Sequence, residues 1–442
     1  MEPLRTRLRK LALPIFVEIA LVMLVGAVDT FMLSSCGDGA VAAVGLDNQL
    51  VMLVFLVYQF VSVAVGVVCA QYHGAGLRRR LVQVVGIALA VNAVVGLSAS
   101  AFLFLRAEEV LRFMGLREEL MTEGAVYLRI TGALSFFQAL AFTFSASLRS
   151  VDRVKAPMVV TAIANVVNVA GNYLLIFGHC GCPEMGVAGA AWATAVSRVV
   201  SFALLAAIHT RVHIRRFPIS LFTPFPWREL ANLFKFGIPA IGEEISYCLS
   251  QVVITYFINR ISTDALTTRT YAVNMIMFVY LFCLSVTQGG DILIGHLVGR
   301  RSYRPAYIMG NLLVRSSLVV TLAGSVPLAL AGPFIFRILT DNPEIIRLGT
   351  IILWIDVTLE VGRVRNIFAC STLRAAGDPI YPLVVGIVFQ WGVAVGVAWL
   401  FAFPLGWGLV GAWIAFSLDE NLRGVILMRR WHSRDWAGKS LA

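Results

Sequence analysis

Apolar runs of about 20 residues recur along the whole chain, separated by short loops that are basic or rich in glycine and proline. An α-helix rises about 1.5 Å per residue, so such a run is long enough to cross the hydrocarbon core of a bilayer. A membrane β-barrel would instead show segments of about 10 residues in which apolar and polar side chains alternate. Charged residues make up only 14% of the chain, against roughly 25% in a soluble globular domain. The sequence therefore predicts an all-α integral membrane protein.

Basic residues cluster in every second loop between the predicted spans. Arg78 to Arg80 follow the second span, and Arg300, Arg301 and Arg304 follow the eighth. The positive-inside rule then predicts a multi-pass protein of the cell inner (plasma) membrane with both termini in the cytoplasm. The net charge of +11 is explained by this topology, and nucleic acid is not expected as a partner. The first run keeps Pro14 and Glu18 and is expected to remain as a span.

The two halves of the chain resemble each other at an offset of 225 residues, the separation of Pro14 and Pro239. The same offset pairs Glu18 with Glu243. It also pairs Gly74 with Gly299, Leu148-Arg149 with Leu373-Arg374, and Pro157 with Pro382. We therefore predict twelve helices in two pseudo-symmetric six-helix bundles, related by an axis along the membrane normal because six is even. The predicted domains are an amino-terminal lobe (1–210), a cytoplasmic linker (211–228) and a carboxy-terminal lobe (229–442).

Asp29 is the strongest candidate for a functional residue among the ionisable side chains of the first span. A charged side chain at the bilayer centre costs about 2.5 to 3.5 kcal/mol, so such residues should face a cavity or a partner. Asp29 follows Glu18 by eleven residues, which places both on one helix face. Burial disfavours the charged form of a carboxyl, so Asp29 is expected to bind and release a coupling proton. A structural acid hydrogen-bonded to a neighbouring helix is the alternative, and it stays open for both residues.

Polar stripes on the fifth and sixth spans lie in the same half as Asp29. The fifth span carries Thr161, Asn165, Asn168 and Asn172, and the sixth carries Thr194, Ser197, Arg198 and Ser201. The spacing of three or four residues puts each set on one helix face. Small polar residues also hold transmembrane helices together, so a binding site and interhelical contact both remain open.

The second half contributes two further polar groups. The seventh span carries Glu243, Glu244, Tyr247 and Gln251, and the eighth carries Asn274, Gln288 and Asp291. Together with Glu18, these residues are predicted to line a substrate cavity, with interhelical bonding as the alternative. In the tenth span, Glu360 and Arg363 are spaced for a salt bridge that would lower their burial cost.

Neither a metal site nor an enzyme active site is indicated. His209 and His213 have a spacing that can chelate a metal, but no third ligand follows nearby, so interfacial histidines are favoured. Cys180 and Cys182 form a close pair in a predicted outer loop, where an incidental pair is favoured over a disulfide or a metal site. No glycine-rich nucleotide loop and no catalytic Ser/His pairing occurs within the spans, so no cofactor beyond a coupling ion is expected.

The motifs in their order resemble those of the multidrug and toxic compound extrusion (MATE) family. They are Leu13-Pro14, Val28-Asp29-Thr30, Ala42-Ala43-Val44-Gly45, Ala70-Gln71, Leu148-Arg149, Asn168, Leu175 to Gly178, Gly186 to Thr194 and Leu373 to Asp378. The resemblance covers nearly the whole chain. It implies a coupling site at Asp29 with Asn168, Asn172 and Thr194 as its neighbours. Arg363 stands where sodium-coupled relatives place an acid, which argues against a sodium site in the carboxy-terminal lobe.

The resemblance implies a secondary active efflux transporter that exports small organic, often cationic, compounds by antiport with protons or sodium. The expected partners are small-molecule substrates and membrane lipids, and the expected state is a monomer. A flippase for lipid-linked precursors is the first alternative, and it would need a large basic groove open to lipid. A receptor that does not transport is the second.

Overall fold

The structure is a computed structural model that describes residues 4–212 and 219–441. Helices account for nearly all of these residues, and no β-strand occurs among them. The first sequence repeat forms α1 (Leu4–Leu33), α2 (Asp38–Gly74), α3 (Arg78–Leu105), α4 (Ala107–Phe113), α5 (Glu118–Ala133), α6 (Ser135–Ser150), α7 (Lys155–Phe177) and α8 (Val187–Val212). The second forms α9 (Trp227–Ile261), α10 (Thr263–Gly299), α11 (Tyr303–Leu339), α12 (Pro343–Ala376), α13 (Ile380–Phe389), α14 (Gly396–Ala402) and α15 (Gly408–Ser433).

Eight of the described helices are long and apolar enough to cross a membrane, and α5 with α6, bent by 41°, makes a ninth when the pair counts as one span. The long helices α9, α12 and α15 are less apolar because they carry charged residues, such as the buried Asp356 and Glu360 of α12. A π-helical segment, Gln390–Val395, joins α13 to α14. Counted with these elements, each repeat supplies six spans, as the sequence predicts.

The described residues form two compact units. The amino-terminal unit comprises Val17–Gly237, and the carboxy-terminal unit comprises Ile238–Ala442 together with Met1–Phe16, insofar as these ranges are described. The divisions fall close to the prolines inside α1 and α9, Pro14 and Pro239. Proline lacks the N–H that would bond one turn back, so both are points where a helix can bend. The lobe boundaries predicted at 211–228 stay a prediction, and residues 213–218 lie outside the described part of the chain.

Polar contacts and apolar packing both hold the amino-terminal unit together. Asn92 of α3 donates from its side-chain amide to Thr143 Oγ1 (2.8 Å) and to the Ala139 carbonyl (3.1 Å), which ties α3 to α6. Tyr58 of α2 shares a 2.8 Å hydrogen bond with Ser135. With lipid as the solvent, such bonds contribute to association that apolar burial alone would not specify.

In the carboxy-terminal unit, α12 lies at the centre of the packing. Ile352 and Leu359 of α12 belong to one buried cluster with Ile254 of α9, Phe336 of α11 and Trp413 of α15. Asp356 and Glu360, the acids in the middle of α12, are likewise buried inside the unit.

Candidate functional site

The four residues predicted to bind the coupling ion lie together in the amino-terminal unit. The side-chain amide of Asn172 donates to Asp29 Oδ1 at 2.6 Å and lies 3.4 Å from Asn168 Oδ1. The amide of Asn168 in turn donates to Thr194 Oγ1 at 3.3 Å. A chain of hydrogen bonds therefore runs from the carboxyl on α1, across α7, to the hydroxyl on α8. We call these four residues the Asp29 site.

Close packing of α7 against α8 sets the position of this site. A Cβ on Gly171 would lie only 2.9 Å from Cβ of Ala193, so the glycine permits the close approach of the two helices beside Asn172. Asn165 of the same stripe donates its amide to the Leu21 carbonyl of α1 at 2.7 Å. The α7 stripe therefore makes two kinds of contact, because Asn165 joins α7 to the α1 backbone, whereas Asn172 donates to the Asp29 carboxyl and Asn168 contacts Asn172.

The Asp29 site combines groups suited to a proton or a small cation. Asp29 is half-buried, whereas Asn168 and Asn172 are buried. Carboxylate, amide and hydroxyl oxygens are the ligands that hard cations prefer, and a carboxyl can also exchange a proton. Arg198 of α8 is not in contact with Asp29 but is close enough for its charge to act on the carboxyl. Its guanidinium lies 5.1 Å from the Phe55 ring centroid and donates to the Thr131 carbonyl at 3.0 Å.

Glu18 is not part of the Asp29 site, although both acids lie on α1. It is buried, and Arg149 Nη2 lies 2.6 Å from its Oε1 in a salt bridge between α1 and α6. This geometry is that of a structural acid bound to a neighbouring helix. Its predicted place in a substrate cavity stays a prediction.

Glu243 and Asp291 lie in one polar group in the carboxy-terminal unit. Arg374 Nη1 is 3.9 Å from Glu243 Oε2, and the Cys370 thiol approaches the same oxygen to 3.1 Å. Ser371 donates to Asp291 Oδ2. The charge of Arg374 acts on both acids, so this guanidinium joins them into one electrostatic group.

The two units contain equivalent salt bridges. Glu243 and Arg374 are each 225 positions after Glu18 and Arg149, and both pairs join the first helix of a repeat to the helix that carries the Leu-Arg motif. The sequence repeat is therefore also a repeat of a partly buried ion pair.

Two of the other predicted cavity residues, Tyr247 and Gln251, lie near the guanidinium of Arg269. Gln251 accepts a 3.3 Å hydrogen bond from Arg269, and Tyr247 lies within the electrostatic reach of that guanidinium. Glu244 and Asn274 are exposed, and Gln288 is partly buried. Their common role as a substrate cavity stays a prediction.

A charged group between α12 and α15 was missed at the level of sequence. Arg423 lies 2.5 Å from Asp419 and 3.2 Å from Glu420, and Asn366 of α12 donates to Glu420 at 2.7 Å. The predicted contact between Glu360 and Arg363 is also present. The signal that could have found the α15 group is the occurrence of two acids and an arginine within five residues of a predicted span.

The remaining candidate ligands do not form a metal site in the described part of the chain. Neither Cys180 nor Cys182 forms a disulfide bond. His209 is buried 3.3 Å from Ser147 Oγ, whereas His213 lies outside the described residues. Among the described residues, no group of three or more His, Cys, Asp or Glu side chains has an arrangement that could hold a metal ion.

Twelve spans in two repeats, with ionisable groups buried inside each unit, define a multi-pass membrane protein with the architecture of secondary transporters. The model of the MatE family matches residues 14–174 and 239–415. The chain therefore belongs to the MATE family of membrane transporters, a family that is not a class of enzymes. The family and the fold predicted from the sequence are confirmed.

Curated relatives match over almost their full length. The uncharacterized transporter YisQ of Bacillus subtilis is 37% identical over 432 residues, which cover 97% of this chain and 94% of the relative. A probable multidrug resistance protein NorM of Thermotoga maritima is 26% identical, covering 99% of this chain and 94% of that protein.

Solved structures share the fold. A MATE transporter crystallised in a bent conformation has a TM-score of 0.90 at 18% identity, covering 98% of this chain and 95% of that one. A MOP superfamily transporter from Pyrococcus furiosus has a TM-score of 0.87, covering 98% of this chain and 96% of that one. At this identity the likeness establishes the fold alone.

Proposed function

We propose that this protein is a secondary active efflux transporter, which exports small organic, often cationic, compounds by antiport with protons or sodium. Membership of the MATE family supports transport, and relatives named as multidrug resistance proteins support efflux of drug-like compounds. The observation that carries the coupling mechanism is the hydrogen-bond chain from Asp29 through Asn172 and Asn168 to Thr194.

This chain gives a proton at Asp29 a defined structural consequence. In its charged form the carboxylate only accepts, and the Asn172 amide donates to it. When Asp29 binds a proton it gains an O–H donor, and Asn172 Oδ1 is a buried acceptor that has no partner among the described residues. A rotation of the Asn172 amide would exchange one arrangement for the other. The Asp29 site therefore has two hydrogen-bond patterns that ion binding selects, which is what coupling requires.

The driving force is sufficient for export. Moving one charge across about 100 mV is worth about 2.3 kcal/mol, which corresponds to roughly fiftyfold accumulation per ion at equilibrium. The proposal needs no cofactor other than the coupling ion. It places the protein in the inner membrane with both termini in the cytoplasm, because the basic loops occur at every second connection. Its proposed partners are small-molecule substrates and membrane lipids, and its proposed active state is a monomer.

Transport by everted membrane vesicles tests the proposal. Panels of fluorescent cations and metabolites are presented under a proton gradient and under a sodium gradient, each imposed separately, with vesicles that lack the protein as the control. The expected result is uptake driven by at least one of the gradients and abolished by the matching ionophore. Uptake that persists without any gradient would contradict antiport. Binding of lipid-linked sugars with no uptake of any panel compound would favour the flippase.

A further inference from the structure

Asp47 of α2 is a buried acid that lies outside both the Asp29 site and the Glu243 group. Its side chain is 0% exposed, and neither carboxylate oxygen has a hydrogen-bond partner among the described residues. By contrast, Asp29 accepts a hydrogen bond from Asn172, and Glu18 has a salt bridge to Arg149. Asp47 is therefore an ionisable group for which the described protein supplies no compensating contact.

The surroundings of Asp47 are apolar on both sides along α2. Val44, one turn before it, belongs to a buried cluster with Tyr127 and Ile176. Leu50 and Val51, one turn after it, belong to a second buried cluster. An ionised carboxylate without a partner is strongly disfavoured in such a place, and a group of this kind binds a proton instead.

The helices packed against α2 include α3, α5 and α6, and each of them carries titratable groups. Tyr127 of α5 is close enough for the charges of Asp47, Asp29 and Arg198 all to act on its hydroxyl. From α6, Arg149 is already paired with Glu18.

The remaining helices near Asp47 offer no compensating charge. In the α4–α5 region, Arg129 pairs with Glu108 at 2.7 Å and Arg112 pairs with Glu118 at 3.0 Å, and all four side chains are at least 43% exposed. In α3, no charged residue follows Arg80 until Arg106, which pairs with Glu109.

A proton is the ligand that fits this site. Cation binding would need several oxygen ligands, and Asp47 belongs to no group of three metal-binding side chains in the described chain. Because the carboxyl is 0% exposed, exchange with water requires a conformation other than the one described. A proton bound here is therefore occluded in the described conformation.

We propose that Asp47 is a second proton-binding carboxyl of the amino-terminal unit, in addition to Asp29. The proposal rests on the proposed proton-coupled transport and extends it to two carboxyls. In the binding step a proton from solution forms an O–H bond with one carboxylate oxygen and cancels one negative charge.

The test uses the purified full-length protein with Asp47→Asn and, as the matched control on the same helix, Asp38→Asn. Asp38 begins α2 and is exposed. Infrared difference spectra between acidic and basic pH are expected to show the carbonyl band of a protonated carboxyl in wild type and Asp38→Asn, and to lose one such band in Asp47→Asn. Proton binding measured over the same range is expected to fall by one proton per chain. An unchanged spectrum and proton count would overturn the proposal.

Two further measurements keep the test decisive. If Asp47→Asn is not monodisperse, Asp47→Glu is used instead. This variant retains a carboxyl and is expected to retain the band at a shifted frequency. A folded Asp47→Glu without the band would overturn the proposal. In vesicles, Asp47→Asn is expected to move fewer protons per substrate than wild type, whereas an unchanged ratio would overturn the link to transport. Failure of wild type to transport would contradict the proposed function, while the infrared band would still decide whether Asp47 binds a proton.

Discussion

The salt bridge between Glu18 and Arg149 is expected to stabilise the folded protein more than the equivalent salt bridge between Glu243 and Arg374. Removing one partner of a buried pair leaves an uncompensated charge and costs about 3 to 5 kcal/mol. The Glu18 side chain is 9% exposed and that of Arg149 is 27% exposed, so Arg149→Met is expected at the lower end, about 3 kcal/mol. In the equivalent pair the Arg374 to Glu243 separation is 3.9 Å, beyond hydrogen-bond distance. Arg374→Met is therefore expected to cost less, about 1 to 2 kcal/mol.

A double-mutant cycle separates the ion pair from other effects of the substitutions. Glu18→Gln combined with Arg149→Met leaves no unpaired charge, so the double variant is expected to recover at least about 1 kcal/mol relative to the sum of the single variants. The same cycle at Glu243 and Arg374 is the matched comparison in the other repeat.

Thermal unfolding of the purified variants in detergent measures these differences. At about 2 to 4 °C per kcal/mol, Arg149→Met is expected to lower the apparent Tm by about 6 to 12 °C. One scan rate is used throughout, because unfolding of such proteins is often irreversible. The reasoning would be refuted by single variants at Glu18 and Arg149 that unfold like wild type, or by a double variant whose loss equals the sum of the two.

Three other substitutions test separate parts of the structure. Asn172→Ala removes a hydrogen bond to the Asp29 carboxyl worth about 1.5 to 3 kcal/mol, so gradient-driven transport is expected to fall at least about tenfold, and an unchanged rate would contradict the two-pattern mechanism. Gly310→Ala places a methyl group against the indole of α15 and should cost about 1 to 3 kcal/mol of stability, whereas Gly66→Ala, with nothing within 4 Å, should not lower the apparent Tm. A variant whose only cysteine is the exposed Cys180 should react with a membrane-impermeant maleimide in intact cells but not from the outside of everted vesicles, and the reverse would invert the proposed topology.

Local sequence patterns predicted the spans, the internal repeat and the composition of the Asp29 site. The helical spacing of Asn168 and Asn172 settles which face of α7 they share, and a stripe of amides cannot face lipid without cost. The resemblance to the family then selected Asn168, Asn172 and Thr194 from these stripes as the neighbours of Asp29. The predictions of the spans and of the fold are confirmed because they depend on residues close in sequence or on the order of spans, whereas the role of the Asp29 site stays a prediction.

Contacts between helices that are distant in sequence cannot be predicted from local sequence patterns. The partner of Glu18 is 131 residues away in α6, and helix periodicity gives the face of a residue but not the helix opposite to it. The same limit explains why Asp47 was missed: its isolation is a property of the helices around it, because the second span reads as an apolar run with one acid. The eight predicted cavity residues were chosen for polarity alone, and polarity does not distinguish Glu243, held by Cys370, from an exposed residue such as Asn274.

Proton movement driven by substrate in reconstituted vesicles decides whether Asp29 couples export to an ion. Wild type, Asp29→Asn and Asp29→Glu are compared at equal protein content, with internal pH and substrate followed together. Wild type is expected to exchange substrate for protons, Asp29→Glu to retain part of this exchange, and Asp29→Asn to lose it while still folding. Undiminished gradient-dependent transport by Asp29→Asn would contradict the mechanism.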